Sequence, residues 1–269
     1  MERQPISCRS IIDRAEEPFV LFHEQLGCFQ SDWHAHAWGQ LVYAEKGCIH
    51  LRSEGRKSLI PGGYGVWIPP DAGHQIWSDS VSLHMRALCF PVGEGISGDD
   101  IAVFPVSSLL RELIRYTEKW REGGDDTVQP FLRVITTLIP EELKKATLVY
   151  LPSTGHPRLS VVLSYIQAHL AESFSFEWLA GEYGFSVRSL SRLFQAELGT
   201  SFSGYCRIAR IMRALELIEG GADHVSGLAE DVGYESLPTF SNNFLEICGQ
   251  RPALFIRSRK GQVDEAVSD

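Results

Sequence analysis

Residues 184–194 read Gly-Phe-Ser-Val-Arg-Ser-Leu-Ser-Arg-Leu-Phe, and residues 233–244 read Gly-Tyr-Glu-Ser-Leu-Pro-Thr-Phe-Ser-Asn-Asn-Phe. From Ser186 and from Ser236 the same spacing follows: an apolar residue four later (Leu190, Phe240), Ser five later (Ser191, Ser241) and Phe eight later (Phe194, Phe244). Leu179-Ala180 precedes the first copy and Leu228-Ala229 the second, so one supersecondary unit occurs twice, 50 residues apart. In each copy a glycine marks a sharp turn and a serine suits the N-cap of a second helix. The residues four and eight after that serine share the inward face of the helix. Arg188, Ser191 and Arg192 then face outward, as in a helix laid into a DNA major groove.

Between the copies, Ile208, Ile211, Met212, Leu215 and Ile218 recur at helical spacing, and Gly220-Gly221 stops the run. A helix of that length spans roughly 25 Å at ~1.5 Å per residue. With its flanking turns it can set two reading helices about one DNA turn, ~34 Å, apart.

These residues, with Glu197-Leu198-Gly199-Thr200-Ser201, Tyr205, Arg210, Ala214 and Gly249-Gln250-Arg251-Pro252, closely resemble the DNA-binding domain of the AraC/XylS transcription regulators over residues 158–260. The resemblance implies DNA contacts from Arg188, Ser191 and Arg192 in the first unit and from Leu237, Pro238, Ser241 and Asn242 in the second. Members of the family often carry Arg at the place of Asn242, so the second head is the weaker reader by this comparison. An Arg there can read guanine, and an Asn adenine, through paired hydrogen bonds.

The formal charge of −9 and pI near 5.5 exclude a generic polycation that coats nucleic acid. Even from His156 onward there are ten Lys or Arg against fourteen Asp or Glu. DNA affinity must therefore come from local placement of Arg188, Arg192, Arg207, Arg210, Arg251, Arg257, Arg259 and Lys260. The absence of a long apolar run and of a signal pattern at residues 1–5 points to a cytoplasmic location with no membrane partner. Six scattered cysteines suit reduced thiols.

Residues 1–100 show short apolar runs broken by Gly, Pro, Asp and Ser, a pattern of close-set antiparallel strands in a barrel or jelly roll. His34-x-His36-x3-Gln40-x6-Gly47 and Gly63-x5-Pro69-x4-His74 resemble the two cupin motifs. That resemblance implies a divalent metal held by His34, His36 and His74, with Gln40 where the superfamily has Glu and Asp71 where it has Gly. Three imidazoles can hold Zn, Ni, Co or Fe, and Gln40 is the candidate fourth ligand. The alternative is that the same histidines hydrogen-bond within an effector pocket. His34-Ala35-His36 is expected to lie on a strand, so that both rings point to one face. Trp33, Trp38, Gln40 and Trp77 are the candidate effector contacts.

The expected fold is therefore α+β: a cupin-like antiparallel β-barrel, then an all-α double helix-turn-helix domain. Residues 101–150 are expected to be amphipathic helices that cap the barrel or pair subunits, 151–157 a linker and 261–269 a disordered tail. The reading is a non-enzymatic, sequence-specific regulator bound to double-stranded DNA and a small-molecule or metal effector. It is expected to act as a homodimer, and to touch RNA polymerase if it is an activator. Two other readings stay open: a cupin metalloenzyme fused to a DNA-binding module, and a constitutive DNA-binding protein with a purely structural barrel.

Overall fold

The structure is a computed structural model that describes residues 3–7, 19–91, 100–120, 125–146 and 150–258. The expected tail at 261–269, Cys8, Arg259 and Lys260 lie outside the described residues. The chain divides into two compact units, the first from residues up to 54 with 59–148, the second from 55–58 with 149 onward.

The strands are β1 (Gln4–Ile6), β2 (Val20–Leu26), β3 (Phe29–Ser31), β4 (Gly39–Lys46), β5 (Ile49–Ser53), β6 (Arg56–Ile60), β7 (Tyr64–Ile68), β8 (His74–Ser78), β9 (Leu83–Phe90), β10 (Ala102–Pro105) and β11 (Tyr150–Pro152). One sheet runs β1-β3-β8-β5-β6-β11 and the other β10-β7-β4-β9-β2. This corrects the expected barrel: both sheets are open, and β1 joins β3 in parallel. Three of the four edge strands carry a proline, Pro5 in β1, Pro105 in β10 and Pro152 in β11, which is where a strand tolerates a missing N–H.

Alternation along β4 decides what each face of its sheet touches. Leu41 and Tyr43 join Trp67, Leu88, Phe90 and Phe104 in a core with two helices, α1 (Ser108–Tyr116) and α2 (Val128–Leu143). Leu110, Ile114, Leu132, Ile135 and Ile139 supply the helical side of that core. So these helices cap the sheet within the subunit. The 3-10 turn Thr117–Trp120 follows α1. Pro140 sits within α2. Gln40, Val42 and Ala44 occupy the opposite face of β4, which looks toward β8 of the other sheet. Ile49, Leu51 and Ile76 share the His74 face of that second sheet, since Leu51 pairs with Ile76, and all three are buried.

The second unit is helical apart from β11, which takes Leu151 and Pro152 of the expected linker, and the β6 residues 56–58 with which it pairs. Its helices are α3 (Pro157–Ala168), α4 (Phe176–Glu182), α5 (Val187–Leu198), α6 (Phe202–Glu219), α7 (Val225–Asp231) and α8 (Leu237–Cys248), and residues 252–258 are also helical. The repeated motif gives α4-turn-α5 and α7-turn-α8. In the first turn Phe185 N–H donates to Ala180 O and Gly184 N–H to Gly181 O; in the second, Tyr234 N–H donates to Ala229 O and Gly233 N–H to Glu230 O. That is one Schellman motif built twice, and it needs the left-handed residue that Gly184 (φ 67°) and Gly233 (φ 81°) provide. Arg158 clamps the first turn by donating to Tyr183 O and Gly184 O; Arg210 donates to Leu170 O and lies over the Tyr234 ring that follows the second turn. Helix α6 has 18 residues, about 27 Å at ~1.5 Å each, and buries Ile211, Met212, Leu215 and Ile218 as its spacing predicts.

Candidate metal centre and recognition helices

His34 and His36 do not lie on a strand, as the sequence reading had them. His34 forms an isolated bridge with His74, and His36 sits in the connection between β3 and β4. They converge all the same, because the chain crosses from one sheet to the other between Ser31 and Gly39. His34 N–H donates to His74 O at 3.0 Å and His74 N–H donates to His34 O at 2.9 Å, and Asp71 N–H donates to His36 O at 2.8 Å. Asp71 takes φ 61° to make that turn. It is thus a left-handed residue where the motif has glycine, and Asp is among the few side chains that tolerate this.

All three histidines are buried, and one ring nitrogen from each lies within 4.8 Å of the others. Each Nδ1 faces a backbone carbonyl: His34 toward Asp32 O at 3.0 Å, His36 toward Trp38 O at 2.8 Å, His74 toward Ala72 O at 2.8 Å. A carbonyl oxygen only accepts, so each Nδ1 carries the proton and, in the neutral ring, each Nε2 presents a lone pair. Burial pushes His74 down to about 4, which keeps its ring neutral near pH 7. Carbonyls that orient imidazoles in this way are the usual outer partners of metal-ligating histidines.

Gln40 Oε1 lies 3.1 Å from both His36 Nε2 and His74 Nε2. An acceptor oxygen then faces two acceptor lone pairs. Two arrangements relieve that. The amide can turn so that its NH2 donates to both rings, or a cation can sit between oxygen and nitrogens. The donor set of three imidazole nitrogens and one amide oxygen suits a divalent transition ion. The cluster is thus capable of coordinating a divalent metal, with His34, His36 and His74 as the residues that would hold it.

The tryptophans divide. Trp38 is half-buried and lends its carbonyl to His36. Trp33 is 49% exposed and lies against Gly73, next to His74. Trp77 alternates with His74 along β8, so it projects from the other face and stacks on His50 at 5.1 Å. It is not part of the histidine pocket.

In the second unit Ser186 and Ser236 cap α5 and α8, accepting from Ser189 and Thr239 N–H. Leu190 and Phe194, and Phe240 and Phe244, are buried. Arg188, Ser191, Arg192, Leu237, Pro238 and Asn242 are exposed and Ser241 is half-buried. Two basic residues near these helices are engaged within the fold: Arg207 pairs with Glu246 at 3.0 Å, and Arg210 donates to Leu170 O at 3.1 Å. Arg251 is different. Its guanidinium donates to Asn242 Oδ1 at 2.8 Å and Ser241 Oγ at 3.1 Å, which places it on the outer face of α8. Sequence spacing marks Arg251 only as near a helix end.

A Schellman-turned, serine-capped helix pair that occurs twice defines a helix-turn-helix protein. Residues 179–258 match the family described as a helix-turn-helix domain, and residues 28–94 match the AraC-like ligand binding domain. The chain is 27% identical over 252 residues to the HTH-type transcriptional regulator NimR of Escherichia coli (strain K12), covering 91% of this chain and 89% of that protein. It is 25% identical over 231 residues to the uncharacterized HTH-type transcriptional regulator YobQ of Bacillus subtilis (strain 168), covering 82% and 87%. An AraC-type DNA-binding-domain protein from Chromobacterium violaceum, of solved structure, is 31% identical over 33% of this chain and 80% of its own, with a TM-score of 0.32. The homology strongly supports a helix-turn-helix transcription regulator of the AraC/XylS family. Both relatives are described as HTH-type transcriptional regulators. No helix among the described residues is long and apolar enough to cross a membrane.

Proposed function

We propose that this chain is a sequence-specific, DNA-binding transcription regulator whose N-terminal unit binds a small-molecule or metal effector. One observation carries it: two helices, α5 and α8, are presented by the same turn and cap, each with its apolar face of Leu190 and Phe194, or Phe240 and Phe244, buried. In this reading Arg188, Ser191 and Arg192 contact DNA from α5, and Leu237, Pro238, Ser241 and Asn242 from α8. The effector pocket centres on His34, His36, His74 and Gln40, with Trp33 and Trp38 beside it. An effector there acts only through different affinity for the DNA-competent and incompetent states.

The histidine geometry favours a metal as the effector or as part of its site. Such an ion would supply a fixed positive charge between the rings and Gln40, and this chain's part is to orient the three Nε2 lone pairs toward it. Two measurements test the proposal. Selection of duplexes from a randomised pool should return one enriched sequence, and Arg188→Ala with Arg192→Ala should abolish its retention. Return of an unenriched pool would refute sequence-specific binding. Metal analysis of the tag-free protein should find about one divalent ion per chain, and none in a His34→Ala/His74→Ala variant. Equal, negligible content in both after incubation with Zn, Ni, Co and Fe would leave the histidines as contacts for an organic effector.

A further inference from the structure

Helix α8 offers little charge of its own toward DNA: its outward residues are Leu237, Pro238, Ser241 and Asn242. Arg251 supplies what the helix lacks. Its backbone is fixed from both sides. Gly249 (φ 74°) reverses the chain after α8, and Arg251 O accepts from Phe255 N–H at 3.0 Å at the start of the helix over 252–258. Pro252 follows it at the first helical position, where a missing N–H costs nothing. Phe255 in turn packs on Phe244 of α8, ring centroids 5.5 Å apart. From this anchored site the side chain lies back along α8, and one terminal nitrogen, Nη1, donates to both Ser241 and Asn242.

Both partners are neutral, and no ion pair involves Arg251 among the described residues, whereas Arg207 and Arg213 are paired with Glu246 and Glu216. The charge of Arg251 therefore stays uncompensated at an exposed position. With Nη1 engaged, the Nε and Nη2 donors remain for an acceptor outside the chain. Reading a guanine edge through both terminal nitrogens would require Nη1 to leave its helix partners; a phosphate needs only the charge and the remaining donor edge. Asn242, for its part, spends its carbonyl oxygen on Arg251, the group it would otherwise offer to adenine N6.

We infer that Arg251 is the phosphate-holding cation of the second helix-turn-helix unit, and that Ser241 and Asn242 act there as positioning residues for its guanidinium. The inference rests on the DNA-binding reading above and changes the role of Asn242 within it. The test uses the full chain, the duplex enriched from the randomised pool, and an unrelated duplex of equal length, with binding followed by fluorescence anisotropy over a range of KCl. Arg251→Gln should weaken binding to both duplexes by a similar factor, about tenfold at low salt, and reduce the slope of log K against log salt by about 0.9. Asn242→Ala should weaken binding several-fold in the parent, and add nothing in the Arg251→Gln background. Arg251→Lys, which keeps the charge, should recover most of the affinity, and unfolding midpoints control for damage to the fold. Unchanged binding by Arg251→Gln, a loss confined to the enriched duplex, or a full Asn242→Ala effect persisting in the double variant would each overturn the inference. A parent protein that binds neither duplex refutes the DNA-binding reading itself, a separate result from any of these.

Discussion

Single atoms decide the N-terminal pocket. His74 is held neutral by burial, its value falling from the ordinary 6.5 to about 4. The folded state thus binds a proton less readily than the unfolded chain. In the metal-free protein this contribution is complete above pH 6.5, declines as pH falls, and is gone below about 4; it is worth about 3 kcal/mol. Urea unfolding of metal-free protein should show that loss between pH 6.5 and 4, and His74→Gln should flatten it; an equal slope in both proteins would mean another group is responsible. Gln40 is the other residue that counts. Gln40→Glu places a carboxylate where an amide oxygen faces two imidazoles. Metal affinity should rise by on the order of tenfold or more in competition titrations with a chelator. The metal-free variant should be less stable, since a buried carboxylate is then left without a counter-charge. Unchanged affinity would place Gln40 outside the coordination sphere.

The decisive element is the turn ahead of each outward-facing helix. An added Cβ on Gly233 would stand 2.4 Å from Leu170 O and 3.0 Å from Ala171 Cα, at φ 81°. Backbone cannot swing aside as a side chain can. Gly233→Ala should therefore cost about 2–4 kcal/mol. Gly199 also has a positive φ, but its Cβ would meet nothing within 4 Å, so Gly199→Ala should cost only about 1 kcal/mol. Urea denaturation of the two variants measures the difference, and equal costs would show that conformation alone, and not the approach of α3's end, requires glycine at 233. Arg158 binds the first turn directly through Gly184 O, whereas Arg210 binds Leu170 O, the carbonyl that Gly233 approaches.

For the whole molecule, the question is how an acidic chain of net charge −9 could hold a polyanion. Several of its basic residues near α5 and α8 are already engaged within the fold. Arg207 is paired with Glu246, and Arg158 and Arg210 hold backbone carbonyls. Arg188, Arg192, Arg251 and Arg257 are exposed. Neutralising three or four phosphates per chain gives a salt slope of about −3 to −4. Arg207→Ala should leave that slope unchanged, whereas Arg192→Ala should lower its magnitude by about 0.9. A slope much steeper than this in anisotropy titrations would mean that cations paired in the free protein are released on binding.

Local chemistry made the second unit legible in the sequence. Its turn, cap and inward phenylalanines are set by residues within about ten positions of one another, and hydrogen-bond geometry at that range depends little on the rest of the chain. The histidine cluster was also visible as a spacing, since His34, His36 and Gln40 are near neighbours and His74 follows a turn signal. Three things waited for the tertiary structure. Whether the strands closed depended on which strands became edges, and among the described residues both sheets end on unpaired edge strands. Which tryptophans border the pocket depended on the register of β8, whose alternation turns Trp77 away from His74. Which arginines stay exposed depended on partners distant in sequence, such as Glu246 for Arg207 and Leu170 for Arg210. Pairing of this kind follows from packing, which brings together residues that no local pattern relates.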